Sequence, residues 1–297
     1  MIPRPTLDGA EGFVPHPGGA VFNTAIALGR LGAPVGMVTG LSTDLFGALL
    51  ADSLAESHVD TAHVIRSDRP TTLAFVNLTD GHATYSFFDE NSAGRMLAPA
   101  DMPTLGAETQ ALYFGGISLA VEPCADAYAA LLAREGRTRP VMLDPNIRPG
   151  FIRDAGRFRT RLSGMLAQTD IVKVSDEDLD WLYPGQGPLA NKLARLRAEG
   201  PAITVLTRGG EGATGILPDG SEVSVPARQV AGVDTVGAGD TFNAGLLASL
   251  WEQGALTRAG LSALTAEQMR AALDFAARVA AVTVTRAGAN PPWPQEL

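Results

Sequence analysis

The sequence predicts an α/β protein: a doubly wound, mainly parallel sheet sandwiched by helices, with a small β-hairpin lid. Three observations predict it. Short apolar runs rich in β-branched residues recur, helical patterns of about 10–15 residues separate them, and one Asp-Gly turn interrupts the alternation. Strands flanked by helices form βαβ units whose parallel sheet is covered on both faces, and right-handed crossovers wind it doubly.

In chain order, a helical pattern over Ala20–Leu31 precedes a strand at Val35–Thr39, and a second helix is expected over Asp44–Ser57. Leu73–Leu78 and Ala83–Phe88 flank Thr79-Asp80-Gly81, the pattern of a β-hairpin with Asp-Gly in the turn. A hairpin joins a parallel sheet poorly, so a small β-layer beside the sheet is expected, a common way to build a lid. The alternation then resumes. Strands at Leu112–Leu119, Val141–Leu143, Ile171–Val174 and Ile203–Leu206 are interleaved with helices at Ala125–Arg134, Ala155–Ala167 and Leu189–Glu199. A second hairpin pairs Ala213–Leu217 with Glu222–Val225 about Pro218-Asp219-Gly220. Two long helices close the chain. Ala238–Gln253 carries Phe242, Leu246, Leu247, Leu250 and Trp251 on one apolar stripe, with Gly254 as terminator. Ala266–Val284 is rich in Ala and ends before Arg286-Ala287-Gly288. With no repeat, low-complexity tract or linker, residues 1–297 are expected to form one domain, its lid lying at about 8–17 and 70–92.

Composition narrows the function. The chain is 45% hydrophobic and 19% charged, ample for a real core. Against 23 basic residues stand 32 acidic ones, a net charge of −9, so a phosphate-driven nucleic-acid partner is not expected. No apolar run approaches the ~20 residues of a membrane span, and Met-Ile-Pro-Arg-Pro-Thr lacks the apolar core of a secretory signal. The single Cys124 forms no intrachain disulfide, which fits a reducing cytoplasm.

Several motifs fail. There is no Gly-x-x-x-x-Gly-Lys-Ser/Thr, no Gly-x-Ser-x-Gly and no His-Glu-x-x-His. Gly210-x-Gly212-x-x-Gly215 matches the bare dinucleotide pattern, yet Pro218-Asp219-Gly220 stands next where a helix is required. His16, His58, His63 and His82 read as surface or loop residues. The informative segment is Asp234-Thr235-Val236-Gly237-Ala238-Gly239-Asp240-Thr241-Phe242-Asn243-Ala244-Gly245. Three small residues open a strongly helical stretch, so backbone N–H groups converge on one spot where the helix dipole adds roughly half a positive charge. That is an anion hole. Asp240, in the first turn, reads either as a helix cap or as the acceptor of a proton from a hydroxyl held beside the hole.

This segment resembles the C-terminal signature of the ribokinase-like (PfkB) carbohydrate kinases. His16-Pro17-Gly18-Gly19-Ala20-Val21-Phe22-Asn23 is similar to the family's Gly-Gly-x-x-x-Asn segment, Thr207-Arg208-Gly209-Gly210-Glu211-Gly212 to its nucleotide turn, and Thr285-Arg286-Ala287-Gly288-Ala289 to its closing segment. Gly115-Gly116-Ile117-Ser118-Leu119 with Glu122-Pro123-Cys124, Asp144-Pro145-Asn146-Ile147-Arg148 and Lys173-Val174-Ser175-Asp176-Glu177-Asp178 resemble the fructokinases within it.

The resemblance implies roles. Asp240 would be the general base, with Gly237, Ala238 and Gly239 holding the transferring phosphoryl group. Gly18, Gly19 and Asn23 would line a sugar pocket, or else form a turn and helix cap. Asp89 and Asn91 would reach the sugar from the lid, or else edge it in solvent. Arg148 would steady a phosphate or substrate anion, or else form a surface salt bridge. Lys173, Ser175, Thr207, Gly209 and Gly212 would flank the nucleotide. Asp234 and the Val236 carbonyl would hold a potassium-type ion, and Asp178 would stand near the magnesium brought by ATP. Asp178 departs from the family's Glu, and Ser175 from its Asn. Lid strands of relatives often pair between subunits, which implies a homodimer. Relatives also begin with an earlier strand ending in a sugar-binding aspartate, and Met1-Ile2-Pro3-Arg4-Pro5 resembles the stretch just after that aspartate; a form lacking that strand is expected to be less stable and less active. The implied activity is ATP-dependent phosphorylation of fructose to fructose 6-phosphate. The alternatives are a 2-keto-3-deoxygluconate kinase, with Arg148 or Arg95 facing the carboxylate, and a sugar- or nucleotide-binding protein of impaired turnover.

Overall fold

The computed structural model describes residues 1–79, 82–185 and 187–297. Strands β1 (Ile2–Pro5) and β2 (Glu11–Val14) come first, then α1 (Ala20–Arg30), β3 (Thr39–Ser42), α2 (Leu45–Glu56), β4 (Val64–Ser67), β5 (Leu73–Thr79) and β6 (His82–Phe88). The alternating part comes next: β7 (Leu112–Gly115), α3 (Cys124–Glu135), β8 (Val141–Asp144), α4 (Ala155–Leu166), β9 (Ile171–Ser175), α5 (Asp176–Leu182), α6 (Leu189–Ala198) and β10 (Ile203–Thr207). Last come β11 (Ala213–Ile216), β12 (Glu222–Val225), α7 (Ala238–Glu252), α8 (Arg258–Ser262) and α9 (Ala266–Val284).

The main sheet has six strands in the order β12-β11-β10-β9-β8-β7. From β7 to β10 neighbours run parallel, and the predicted second hairpin adds β11 and β12 antiparallel at one edge. Successive side chains on a strand face opposite ways, and here both faces are apolar. Leu143, Val172, Val174 and Leu206 enter one core with α3, α4, α5 and α6. Met142, Ile171, Ile203 and Val205 enter another with α7 and α9. That is the doubly wound arrangement the alternation predicts. A third cluster joins α1 and α2 to β3 through Phe22, Ile26, Leu41 and Leu54.

β3 and β4 form a separate parallel pair. β5 and β6 form the expected hairpin; its Asp80-Gly81 turn lies outside the described residues. The β1–β2 ribbon lies against it: the Met1 ammonium donates to the Ala74 carbonyl (2.8 Å) and the Val76 amide to the Met1 carbonyl (3.0 Å). Together they make a small β-layer beside the main sheet.

Helix ends obey local chemistry. The Thr265 hydroxyl accepts from the Gln268 amide (3.2 Å) while the Gln268 side chain accepts from the Thr265 amide (3.1 Å), a reciprocal cap that starts α9. Gly254 terminates α7 in the left-handed region (φ +66°), as expected. On the α7 stripe Phe242, Leu246, Leu247 and Leu250 are buried, each worth about 1.5–3 kcal/mol. Trp251 is instead 37% exposed, a correction to the stripe.

Two strand expectations also change. Over Val35–Thr39 there is one isolated bridge, Gly36 with Asp60, and β3 begins at Thr39. The run at Leu112–Leu119 stays extended only to Gly115, because Gly116 takes φ +68° and turns the chain into a 3₁₀ helix. No described helix is long and apolar enough to cross a membrane.

Candidate active site

The parallel strands β7 to β10 all end on one side of the sheet, at Gly115, Asp144, Ser175 and Thr207, and the first turns of α1 and α7 meet there. Gly237 caps α7 in the left-handed region (φ +80°), and a Cβ on it would lie 2.5 Å from that of Ala289. Only glycine allows this approach of the Gly288–Ala289 segment to the turn. The first amides of a helix have no carbonyl one turn back. Gly239 and Asp240 therefore present N–H donors at the positive end of α7, while the Thr241 amide is the first to close onto Gly237 (2.9 Å).

Asp240 is 7% exposed. Its Oδ2 accepts from Asn23 Nδ2 at 2.8 Å and its Oδ1 from Asn146 Nδ2 at 3.4 Å. The Thr24 hydroxyl donates to its backbone carbonyl at 3.0 Å. Burial pushes the Asp240 carboxyl up to about 6; the Asn23 amide opposes this, Asp144 reinforces it, and Lys173 and Arg148 work against it. A carboxyl at that value is about nine-tenths ionised at pH 7 yet basic enough to take a proton.

Below the turn lies a buried polar unit. Asp144, at the end of β8 and fully buried, accepts on Oδ2 from Lys173 Nζ (3.1 Å) and Asn243 Nδ2 (2.7 Å). Its Oδ1 takes the Asn146 amide at 3.1 Å. Asn243 Nδ2 also meets the Tyr113 hydroxyl at 3.0 Å, and burial holds that phenol well above its ordinary pKa. Burial works against the Lys173 charge, yet Asp144, then Asp178 and Asp240, keep its pKa raised.

The remaining expected residues divide. Gly19 caps α1 at φ +130° and takes the Asn23 amide at 2.7 Å, and Gly18 sits over the Asn23 side chain. So Gly18 and Gly19 form the turn that opens α1, and Asn23 in its first turn joins Asp240 directly. Asp89 is buried with its oxygens engaged by Thr72 (2.7 Å), Ser92 (3.0 Å) and Arg95 (3.4 Å), so it anchors the end of β6. Arg95 also donates to the Glu122 carbonyl, which ties that guanidinium into the scaffold. Asn91 is exposed in the left-handed region. Arg148 is exposed, and among the described residues its hydrogen bond is to the Ile147 carbonyl (3.0 Å) with no carboxylate partner.

Ser175 and Asp178 cap α5 reciprocally, each accepting from the other's amide at 3.0 Å, and Asp178 Oδ1 also takes the Ile147 amide (2.8 Å). Thr207 ends β10 with its hydroxyl 3.4 Å from the Val174 carbonyl, and Gly209 and Gly212 close the next turn with positive φ. Asp234 bridges two segments, taking the Val236 amide (3.0 Å) and the Gly288 amide (2.9 Å). Val236 is 40% exposed. Among the described residues no three His, Cys, Asp or Glu side chains cluster as a metal centre. A cavity of about 450 Å³ lies between Arg228–Val230 and the end of α9, lined by Arg278, Ala281 and Val282.

Asp144, Asn146, Asn243 and Tyr113 carry no role in the sequence reading. The one signal for Asn243 was its place three residues after Asp240, one turn on along the same helix face.

Known proteins resemble this chain in sequence and in fold. The profile described as "pfkB family carbohydrate kinase" matches residues 4–296. A fructokinase from Rhizobium leguminosarum bv. trifolii is 49% identical over 270 residues, 91% of this chain and 82% of that protein. The crystal structure of a fructokinase with bound ATP from Xylella fastidiosa superposes with a TM-score of 0.87 at 29% identity, covering 97% of this chain and 90% of that one. A Vibrio cholerae fructokinase variant solved with fructose, ADP and potassium has a TM-score of 0.82 at 24% identity, with 97% and 90% covered.

Proposed function

The chain belongs to the pfkB family of carbohydrate kinases, and from that premise we propose that it transfers the γ-phosphoryl group of ATP to fructose, giving fructose 6-phosphate and ADP. Phosphorylation of a sugar by ATP follows from the family; the choice of fructose rests on the 49% identical relative. One observation carries the mechanism: a buried, hydrogen-bonded carboxyl at Asp240 beside the unsatisfied amides of its own helix turn.

In this reading Asp240 accepts the proton of the sugar hydroxyl as its oxygen attacks the γ-phosphorus. The bond to the β–γ bridging oxygen breaks and ADP leaves. The free amides of the Gly237-Ala238-Gly239 turn, Ala238's being engaged by the Thr235 carbonyl at 3.3 Å, donate to the phosphoryl oxygens as charge spreads over them, so the transfer is governed by positioning and charge neutralisation. Asn23 holds the base, and Gly18 and Gly19 let the chain approach a polyol. The β-layer of β1, β2, β5 and β6 closes over the sugar and excludes water that would otherwise take the phosphoryl group. Arg148, exposed and without a carboxylate partner among the described residues, is free to steady the phosphate.

Thr207, Gly209 and Gly212 border the nucleotide, and the cavity beside Val230 and Val282 offers it an apolar wall flanked by Arg228 and Arg278. Magnesium, which supplies charge neutralisation on the phosphates, travels with ATP and keeps most of its water. Asp178 would meet it through water, since both its oxygens already hold backbone amides. A potassium ion suits Asp234 and the Val236 carbonyl, where the carboxylate already joins two backbone segments beside the turn. The outer β-layer exposes Phe13 and Phe88, a surface suited to a second copy and checked by light scattering.

The experiment measures ADP release from Mg-ATP with potassium against fructose, 2-keto-3-deoxygluconate and ribose. Turnover on fructose that falls by about 10²–10⁴ in Asp240→Asn is expected. Turnover confined to the keto-acid would reassign the substrate and give Arg148 its carboxylate.

A further inference from the structure

The proposed chemistry leaves Asp144 and Asn243 without a task, and Lys173, expected to flank the nucleotide, is held by Asp144 in the same unit directly beneath it. Asp144 and Asn243 are fully buried and Lys173 is 5% exposed. A buried ion pair of this kind is costly in desolvation and is weak evidence for stability alone. Its placement is specific. Lys173 Nζ lies 3.3 Å from where a Cβ on Gly239 would stand, so the ammonium packs against the last residue of the amide turn with no side chain between. From the other direction, Asp144 Oδ1 fixes the Asn146 amide (3.1 Å), and Asn146 Nδ2 reaches Asp240 Oδ1 (3.4 Å). Asn243, one turn after Asp240 on α7, pins Asp144 at 2.7 Å and registers the pair against that helix.

We propose that Asp144 and Lys173 form a positioning and charge-balancing pair for the transfer centre: Lys173 adds a fixed positive charge under the amide turn, while Asp144 holds it there and offsets that charge at Asp240. This rests on the phosphoryl-transfer reading above. The groups facing Asp240 are Asn23 and Thr24 from α1, Tyr113 from β7, Asp144 from β8, Asn146 and Arg148 after it, and Lys173 from β9. Among the described residues Asp144, Lys173 and Arg148 bring charge to Asp240, with buried Asp178 acting on Lys173; Arg148 is in solvent, so the buried pair governs the local balance.

The test is the titration of Asp240 in the protein without ligands, tracked by carboxyl carbon NMR and assigned with Asp240→Asn. Lys173→Met leaves the Asp144 charge uncompensated and is expected to raise the midpoint by about one pH unit. Asp144→Asn leaves the lysine charge and is expected to lower it by a similar amount. The double variant removes both charges, so its midpoint returns to within a few tenths while kcat falls about tenfold with the fructose KM unchanged. Opposite shifts in the single variants support the pair's role; no shift, or shifts of the same sign, overturns it. Should a single variant not fold, the double variant decides: wild-type kcat there overturns the proposal. The titration needs no turnover, so opposite shifts in a chain inactive on every sugar would sink the kinase reading and leave the charge balance standing.

Discussion

Asn23 and Asp240 lie 217 residues apart in sequence, yet Asn23 Nδ2 donates to Asp240 Oδ2 at 2.8 Å inside the protein. The contact joins the first turns of α1 and α7, the two glycine-led turns that face the carboxyl ends of the sheet. It is also the main interaction holding the Asp240 carboxyl down against burial. Replacing Asn23 by Ala removes a donor to a charged acceptor, an interaction of about 1.5–3 kcal/mol. Asp240 then rises above its value of about 6, so the acid limb of the kcat profile moves to higher pH. The loss of activity is expected to be larger at pH 6 than at pH 8.5, where the base is ionised in both proteins. A uniform loss at all pH values would mean that Asn23 serves only the sugar.

The same carboxyl sets stability against activity. Asp240 titrates near 3.8 in an unfolded chain and at about 6 when folded. A carboxyl raised in this way binds its proton more tightly in the folded state. Its contribution to stability is full below pH 3.8 and is lost as pH rises through 6. Asp240→Asn keeps the shape and abolishes the titration. It should therefore melt higher than the parent at pH 8, by at most about 3 kcal/mol, while the gap narrows toward pH 4. Thermal melts at the two pH values check both the sign and the closing of the gap.

At Gly237, alanine would need φ +80° and would place a Cβ 2.5 Å from that of Ala289. The backbone cost is about 1–3 kcal/mol, and the strain is relieved by moving either the turn or the Gly288–Ala289 segment. Gly237→Ala is expected to lower kcat by at least tenfold, because a shift near 1 Å in the amide donors misplaces the phosphoryl group. Steady-state kinetics beside a melting curve separate this from simple unfolding: the loss of kcat must persist well below Tm.

Much of this was legible from sequence where one segment carries its own information. α9 spans Ala266–Val284 as its composition predicts, and the Gly237–Asp240 turn lies where small residues meet a helix. β4 was not legible, because Val64–Ser67 has only four residues, one of them Arg66, and pairs through a register set by β3. Asp89 and Asp178 carried the expected residue type, but their neighbours' hydroxyls and amides engage them, which depends on local geometry rather than composition. The Asp144–Asn243 contact spans 99 residues and exists only once β8 and α7 are placed.

Asp44 supplies the last prediction, at the root of the β-layer. It caps α2 by accepting the Gly47 amide on Oδ1 (2.7 Å), and the same carboxylate takes the Thr71 hydroxyl (2.7 Å) and amide (2.9 Å) just before β5. Burial pushes this carboxyl up, but the Thr71, Gly47 and Ser42 donors outweigh it and hold it at about 2. With its folded pKa depressed, its contribution is present above pH 3.8 and disappears as pH falls toward 2. Asp44→Ala is expected to cost about 1–2 kcal/mol at pH 7, with solvent screening keeping it from more. Because Thr71 leads into β5, the fructose KM should rise more than kcat falls, as the β-layer loses its anchor to α2. The stability difference should shrink as pH falls below 3.8 and vanish only below about pH 2. A difference that persists in acid would assign Asp44 a packing role rather than an ionic one.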